Sequence, residues 1–449
     1  KKLKEVFLEL EFNTLGKRMF GEDFTAGPQQ VLNLDGPSDL KTIADSKHDY
    51  HLVDTEEKLN DLMEKLNNQE AFCFDIETTS LNAKTCELLG FAFSFAAQTG
   101  YYVPVPEKPQ EAKLVINAIR NVLENPEIGK IGHNLKFDVS VLLWKDLQVR
   151  GKLFDTMLAA ALATPDLRRN MDYLAQALLG YTPIKITELI GEKGDDQKTL
   201  REVDLKRVAE YAAEDADITY QLAEILRPKI EEMGQTQVFE EVESPLLPVL
   251  AHMEHEGVRM DADVIHALSD ELQNEIKETR TKIYDLAGEK FNLNSPKQLG
   301  EMLFETLKLD PNARRTAKSK QYQTSESVLQ RLAPKHKIIE EIIFYRMCTK
   351  LKSTYLDMLP GSVFKGTGRV HTHYEQAVTA TGRLQSHGPN LQNIPIRTEK
   401  GREIRKAFVP RDENYVLLSS DYSQIELRVA AELSQDEALV ETFQRGGDI

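Results

Sequence analysis

Between residues 50 and 234 the apolar positions switch repeatedly between two spacings. Short apolar runs at His51–Val53, Ala71–Phe74, Phe91–Phe95, Tyr101–Val105 and Ile128–Gly132 predict strands. Helical spacing falls at Glu56–Asn67, Glu111–Leu123 and Leu135–Leu143, and helices dominate from Thr156 to Ile230. This alternation predicts an α/β domain. From Glu241 to about Pro360 the pattern changes to long helices: Ala262–Ala287, Pro296–Leu307, Ser325–Leu332 and Lys335–Leu359. Asp261 or Asp263, Ser295 with Pro296, and Ser325 supply their start signals. The basic loop Ala313–Gln321 has the composition of a segment able to stay disordered without a partner. Strand-like spacing returns at Arg369–Tyr374, Ala377–Ala380 and Tyr415–Ser419, with Gly366-Thr367-Gly368 as a hairpin turn and a helix at Glu426–Glu432. Residues 1–20 show a short helical pattern that reads as the end of something upstream, and 21–48 read as a linker.

The run Ala71–Phe74 leads directly into Asp75-Ile76-Glu77. Side chains alternate along a strand, so Asp75 and Glu77 share a face. Two carboxylates there repel each other, and a hard divalent cation relieves the repulsion because it takes oxygen ligands. A strand end emerging into water is the competing reading. Two further motifs, each weak on its own, add candidates. Asn134 and Asp138 lie four apart on one predicted helix, as do Tyr211 and Asp215 on another, so each pair shares a helix face. Asp155, in LFDTMLA, could be a fifth carboxylate, but its place between a strand stub and a helix favours an N-cap.

Composition narrows the class. The 449 residues suffice for two to four domains, and 29% charged with 41% hydrophobic residues is ordinary for globular protein. Cys73, Cys86 and Cys348 are widely spaced and read as reduced thiols of a cytoplasmic protein, with no secretory or membrane-spanning segment. The net charge of −16 hides an asymmetry. Pro311–His371 holds twelve Lys and Arg against four Asp and Glu, and Arg383–Arg411 seven against two. A basic later part beside an acidic earlier part suits a protein that holds a polyanion in one region and metal ions in another.

The set Asp75-x-Glu77, Asn134-x-x-x-Asp138 and Tyr211-x-x-x-Asp215 resembles the DEDDy group of 3′–5′ exonucleases, which have a ribonuclease-H-like fold. The resemblance implies two divalent ions, Mg²⁺ with Mn²⁺ or Zn²⁺ as alternatives, roughly 3.5–4 Å apart. It implies that Asp75 bridges them, that Glu77 and Asp215 hold one, and that Asp138 helps to hold the other, largely through water. Tyr211 and Glu77 would orient the attacking water. Leu81 would wedge against the terminal base, and Thr78 and Asn134 would contact the 3′ end. His133 stands where relatives often carry Gln.

A second acidic stretch, YVLLSSDYSQIEL (Tyr415–Leu427), follows TATGRLQSHGPNLQNIP (Thr379–Pro395). Together they resemble motif A and the preceding palm motif of the family A DNA polymerases, and Ser244–Asp261, Phe291–Gln298 and Lys350–Tyr355 resemble that family's thumb. The implied organisation is the end of a 5′ nuclease domain at 1–20, a linker at 21–48, the exonuclease at 49–240, a helical thumb at 241–360 and a partial α+β palm at 361–449. The implied partners are primer–template DNA, a single-stranded 3′ end and deoxynucleoside triphosphates, with the protein a monomer. Asp421 and the Tyr422 carbonyl would bind Mg²⁺, Glu426 would exclude a 2′-hydroxyl, and Gln424 would sit beside the nucleotide. Arg383, Asn390 and Gln392 would read the minor groove at the primer end. Lys350 and Lys352, with Arg314, Arg315, Lys318 and Lys320, would hold duplex phosphates. The family's fingers helix and second palm carboxylate motif are absent from this sequence, so the expectation is a competent exonuclease and an incompetent polymerase. An RNA-trimming exonuclease and a non-catalytic DNA-binding remnant are the alternatives.

Overall fold

The computed structural model describes residues 40–447 apart from 195, 318, 380 and 397, so the expectations for residues 1–39 and for Lys318 lie outside the described residues. The chain forms two units. One runs up to Gly257 and takes in Thr372–Gln392, and the other comprises Val258–His371 and the residues from Asn393 onward.

The first unit is built on a six-stranded mixed sheet. In chain order its elements are β1 (Asp49–Leu52), α1 (Glu56–Asn67), β2 (Ala71–Thr78), β3 (Leu88–Ala96), β4 (Thr99–Pro104), α2 (Pro109–Leu123), β5 (Gly129–Gly132), α3 (Leu135–Leu143), β6 (Leu153–Asp155), α4 (Thr156–Ala163), α5 (Leu205–Glu232) and α6 (Ser244–Glu256). The strand order is β1-β4-β3-β2-β5-β6. β2 is therefore central, antiparallel to β3 and parallel to β5. Phe72, Phe74, Phe91 and Phe93 are fully buried beside it, which explains the aromatic richness of this stretch. At full burial each such ring contributes roughly 1.5–3 kcal/mol.

The 28-residue α5 lies across β1 to β4, with a run of small residues, Ala212, Ala213 and Ala216, against the sheet. Gly100 on β4 makes this approach possible, because a Cβ there would lie 2.5 Å from the Ala213 carbonyl oxygen. Small residues on both surfaces thus set the depth at which α5 delivers Tyr211 and Asp215. A short hairpin, His373–Glu375 paired antiparallel with Gln385–His387, completes this unit.

The second unit is helical with a small sheet. Helix Ala262–Ala287 packs along Lys337–Leu351 and against Glu399–Lys406, where Lys400 bridges Glu271 and Glu275. Asp261 caps the first of these helices, accepting from the Asp263 and Val264 amides, and Ser295 caps the next. Ser325 precedes its helix without a side-chain cap bond. Four short strands lie in the order Phe408–Val409, Val258–Met260, Arg369–Val370, Val363–Phe364, all antiparallel. The Gly366–Gly368 segment turns between the last two, with the Gly368 amide donating to the Phe364 carbonyl at 2.8 Å. In the basic loop Arg315 stacks on Tyr322 and pairs with Glu305, so that loop has partners of its own.

Three strand expectations need correction. Arg369–Tyr374 is not one strand: its first half joins the four-stranded sheet and its second half the hairpin, because the chain changes neighbours between them. Ala377–Thr379 forms no strand, since this part of the hairpin crosses from one edge to the other. Tyr415–Ser419 is extended in sequence pattern only. It is exposed and pairs with no strand among the described residues, and apolar spacing alone cannot hold a strand without a neighbour.

Candidate functional site

Asp75, Glu77 and Asp215 converge. One carboxylate oxygen from each lies within 4.8 Å of the other two, the arrangement of a metal site. β2 supplies the first two on one face, and α5 brings the third down onto the sheet. Asp138, on the first turn of α3, is buried nearby but outside that set of three. Burial pushes the Asp75 carboxyl up to about 7. Burial, then the Asp75 charge, pushes Glu77 up to about 8. Asp138 and Asp215 are raised well above the carboxylate range by burial and then by Asp75. Asp215 Oδ1 is buried without any hydrogen-bond partner.

Water-starved acids that repel one another and leave an oxygen unpaired fit a divalent cation, which takes oxygen ligands and neutralises their charge. Tyr211 directs its hydroxyl at Asp215, one turn away. Burial and the charges of Asp215 and Glu77 hold that phenol far above its ordinary value, so it stays protonated.

The acidic neighbours of Asp215 on α5 are anchors. Glu214 accepts from the Tyr181 hydroxyl (2.5 Å) and the Ile184 amide (2.7 Å). Asp217 accepts from the Tyr50 hydroxyl (2.9 Å), the Gln98 amide (2.7 Å) and Gln221 (3.0 Å). Both are buried, and together they fix α5 in rotation about its axis with Asp215 turned to the site. The acidic run EDAD signals an unusual helix face, but spacing alone does not say which acid faces the metal.

Asp155 is an N-cap twice over. Its carboxylate accepts from Met157 and Leu158 at the start of α4, and from Asn134 (3.2 Å) and Leu135 (2.8 Å) at the start of α3. It thereby fixes the helix that carries Asp138. Asn134 is exposed there, with a left-handed φ of 54° and no cap bond from its own side chain. Asp155→Ala is expected to cost about 2 kcal/mol in urea unfolding, the sum of two lost caps. Asp155→Asn, which keeps an acceptor oxygen, is expected to lose less and to leave metal affinity unchanged by calorimetry.

A cavity of about 600 Å³ is lined by Asn134 and Phe137, from the start of the helix that carries Asp138, and by Leu81, Met157, Ala377 and Val378 among others, but by none of the four acids Asp75, Glu77, Asp138 and Asp215 themselves. Leu81 is 88% exposed. It is held out on a loop braced by Thr78 Oγ1 donating to the Ser80 carbonyl (2.9 Å) and by paired bonds between Thr79 and Glu87. An apolar side chain kept in water at the rim of a polar site suits contact with a flat apolar surface such as a base.

None of the remaining expected residues is among the three converging acids. Asp421, Tyr422 and Glu426 are exposed, and Gln424 begins helix Ile425–Ser434. Arg383 is exposed on the hairpin. Gln392 is occupied in bracing that hairpin, its Oε1 accepting from the Ser386 amide (2.8 Å) while Asn390 accepts from the Gln392 amide (3.0 Å). Lys350 is exposed, whereas Lys352 pairs with Asp357 at 2.5 Å. His371 contacts Thr367 (2.7 Å), and Cys73, Cys86 and Cys348 are buried free thiols. No helix among the described residues is long and apolar enough to cross a membrane.

Comparison with known proteins agrees with this geometry. The 3′-5′ exonuclease family model matches residues 50–231, and the DNA polymerase family A model matches residues 262–449. The chain is 38% identical to the DNA polymerase I of Pseudomonas aeruginosa over 99% of its own length and 48% of the relative's. It is 42% identical to the DNA polymerase I of Chloroflexus aurantiacus, over 87% and 42% respectively. The chain thus spans about half the length of these relatives. Its fold is similar to the POL domain of Pol1 from M. smegmatis, solved in complex with DNA primer-template and dNTP. The TM-score is 0.75 at 30% identity, covering 89% of this chain and 65% of that one. The ribonuclease-H-like sheet with its converging acids, and the helical unit that follows, therefore belong to a chain of DNA polymerase family A that carries that family's 3′-5′ exonuclease domain.

Proposed function

We propose that this chain removes nucleotides from DNA 3′ ends by metal-assisted hydrolysis, as the proofreading part of a template-directed polymerase. The observation that carries this reading is the convergence of Asp75, Glu77 and Asp215 around an unpaired Asp215 oxygen. Asp75, Glu77 and Asp215 would hold one divalent ion, and Asp138 would serve a second. When bound, such ions lower the pKa of a water and neutralise the leaving 3′-oxygen. The protein's own groups do the positioning. Glu77 would accept a hydrogen bond from the attacking water, and Tyr211, which stays a phenol and donates its proton to Asp215, would accept from the same water through its oxygen. Leu81 meets the terminal base. Thr78 and Asn134 would contact the terminal sugar.

We infer that this chain alone shortens a primer and does not extend it. We infer that Asp421, Tyr422, Gln424 and Glu426 serve synthesis in a longer protein, with Arg383, Asn390, Gln392, Lys350 and Lys352 on its DNA path.

The test is a 5′-labelled primer on a longer template, with Mg²⁺, with and without nucleotides. Shortened products that vanish with EDTA support the reading. Products longer than the primer would contradict the inferred lack of synthesis. Unchanged primer from folded protein would favour a non-catalytic binding role.

A further inference from the structure

Glu254, near the end of α6, is a buried carboxylate that the chemistry above does not use. Its partners include three groups from other elements. Its Oε1 takes a short ion pair from Lys136 on α3 and a hydrogen bond from the Tyr374 amide at 2.7 Å, while its Oε2 meets His373 Nδ1 at 3.3 Å. Burial works against its charge, but His373, Lys136 and the Tyr374 amide outweigh it, so the carboxyl is held below its ordinary value. Gln376 adds a second tie, donating to the carbonyl (3.0 Å) and side chain (2.9 Å) of Glu243. Hairpin residues 373–376 are therefore bound to the helix α6, and through Glu254 to α3. Lys136 stands between Asn134 and Asp138 on α3, so one carboxylate connects the hairpin to the helix that carries part of the site.

The hairpin lines the same cavity as Leu81, Asn134 and Phe137, through His373, Ala377 and Val378. Asn134 and Phe137, just before Asp138 in the chain, line this cavity, which makes it the candidate path for the nucleotides that precede the last one.

We propose that Glu254 is a positioning residue for the exonuclease: it holds the 373–387 hairpin against α3, so that the hairpin walls the path of the single strand into the site. This rests on the exonuclease reading above. Its particular consequence is a division of labour. The wall touches nucleotides behind the terminal one, so losing it weakens binding of a strand without slowing the reaction at the last phosphodiester.

The test compares two substrates on the whole chain with Mg²⁺. One is a short single-stranded oligonucleotide, and the other is the p-nitrophenyl ester of thymidine 5′-phosphate, which is too small to reach the wall. Glu254→Gln is expected to raise KM for the oligonucleotide about tenfold with kcat within about twofold, and to leave kcat/KM for the small ester unchanged. Should that variant fail to fold, His373→Ala breaks one tie while keeping the buried ion pair, and about a threefold rise in the same KM is expected. A folded variant with unchanged oligonucleotide KM overturns the proposal, and so does an equal loss on both substrates, which would make Glu254 a support of the site as a whole. A wild-type chain that cuts neither substrate overturns the exonuclease reading itself.

Discussion

Replacing Asp75 with alanine is expected to lower the release of 3′-terminal nucleotides by at least about 10³-fold. Metal stabilisation of developing charge is worth several kcal/mol, and about 1.4 kcal/mol is a factor of ten in rate. Asp75 is the residue whose charge raises Glu77, Asp138 and Asp215 alike, so it is central to the set. Its removal relieves repulsion, and the variant should fold at least as well as the wild type. Asp215→Ala should lose a similar factor. Tyr211→Phe keeps every carboxylate and removes only the hydroxyl that donates to Asp215 and is proposed to meet the attacking water, so a loss of about 10²-fold is expected, at the lower end of a positioned proton donor or acceptor. Single-turnover rates on a single-stranded oligonucleotide measure all three. A Tyr211→Phe loss as large as that of Asp75→Ala would mean that Tyr211 does more than orient.

The second large effect links metal, pH and stability. Asp75 and Glu77 bind protons more tightly in the folded chain, at about 7 and about 8, than carboxyls do in an unfolded one, near about 4. A raised folded pKa contributes stability that is fully present below the unfolded value and is lost as pH rises through the folded value. Without metal, these two groups should therefore lower the unfolding temperature progressively from about pH 4 to about pH 8. Divalent ions require the ionised carboxylates and reverse the penalty where it is greatest. Millimolar Mg²⁺ or Mn²⁺ should raise the unfolding temperature more at pH 8 than at pH 5.5, by several degrees at about 2–4 °C per kcal/mol. Asp75→Asn should be more stable than the wild type in EDTA, by a margin that widens with pH, and should gain little from metal. A margin that stays constant with pH would mean that the acids are not crowded in the folded protein.

How far the site can be read from sequence depends on the range of the signal. β2, α3 and α5 follow directly from apolar spacing, and Asp75, Glu77, Asp138, Tyr211 and Asp215 sit on them at spacings that fix their faces. That Asp155 is a cap was also legible, but its double role was not, because the second helix it caps begins twenty-one residues earlier, at Asn134. Glu214 and Asp217 were passed over because periodicity marks them as polar, while their partners, Tyr50, Gln98 and Tyr181, lie on other elements. The Glu254 ties span sequence separations of 118 to 120 residues and have no periodic signature. At Tyr415–Ser419 the failure runs the other way. The strand signal is strong, but a strand is a relation between segments, and its own residues cannot supply the neighbour.

The hairpin's membership in the first unit bears on the order in which the protein is made. The sheet and its helices are complete by Gly257, yet the segment that covers Glu254 and Lys136 begins at Thr372. At bacterial ribosomal speeds the interval is roughly ten seconds. For that time the nascent exonuclease carries a buried-to-be ion pair without its lid, and the helices that emerge meanwhile must fold without taking the hairpin's place. The first unit is thus finished only after much of the second has left the ribosome. A chain released early, before the hairpin, would hold its acids in place while lacking the wall that guides a strand to them.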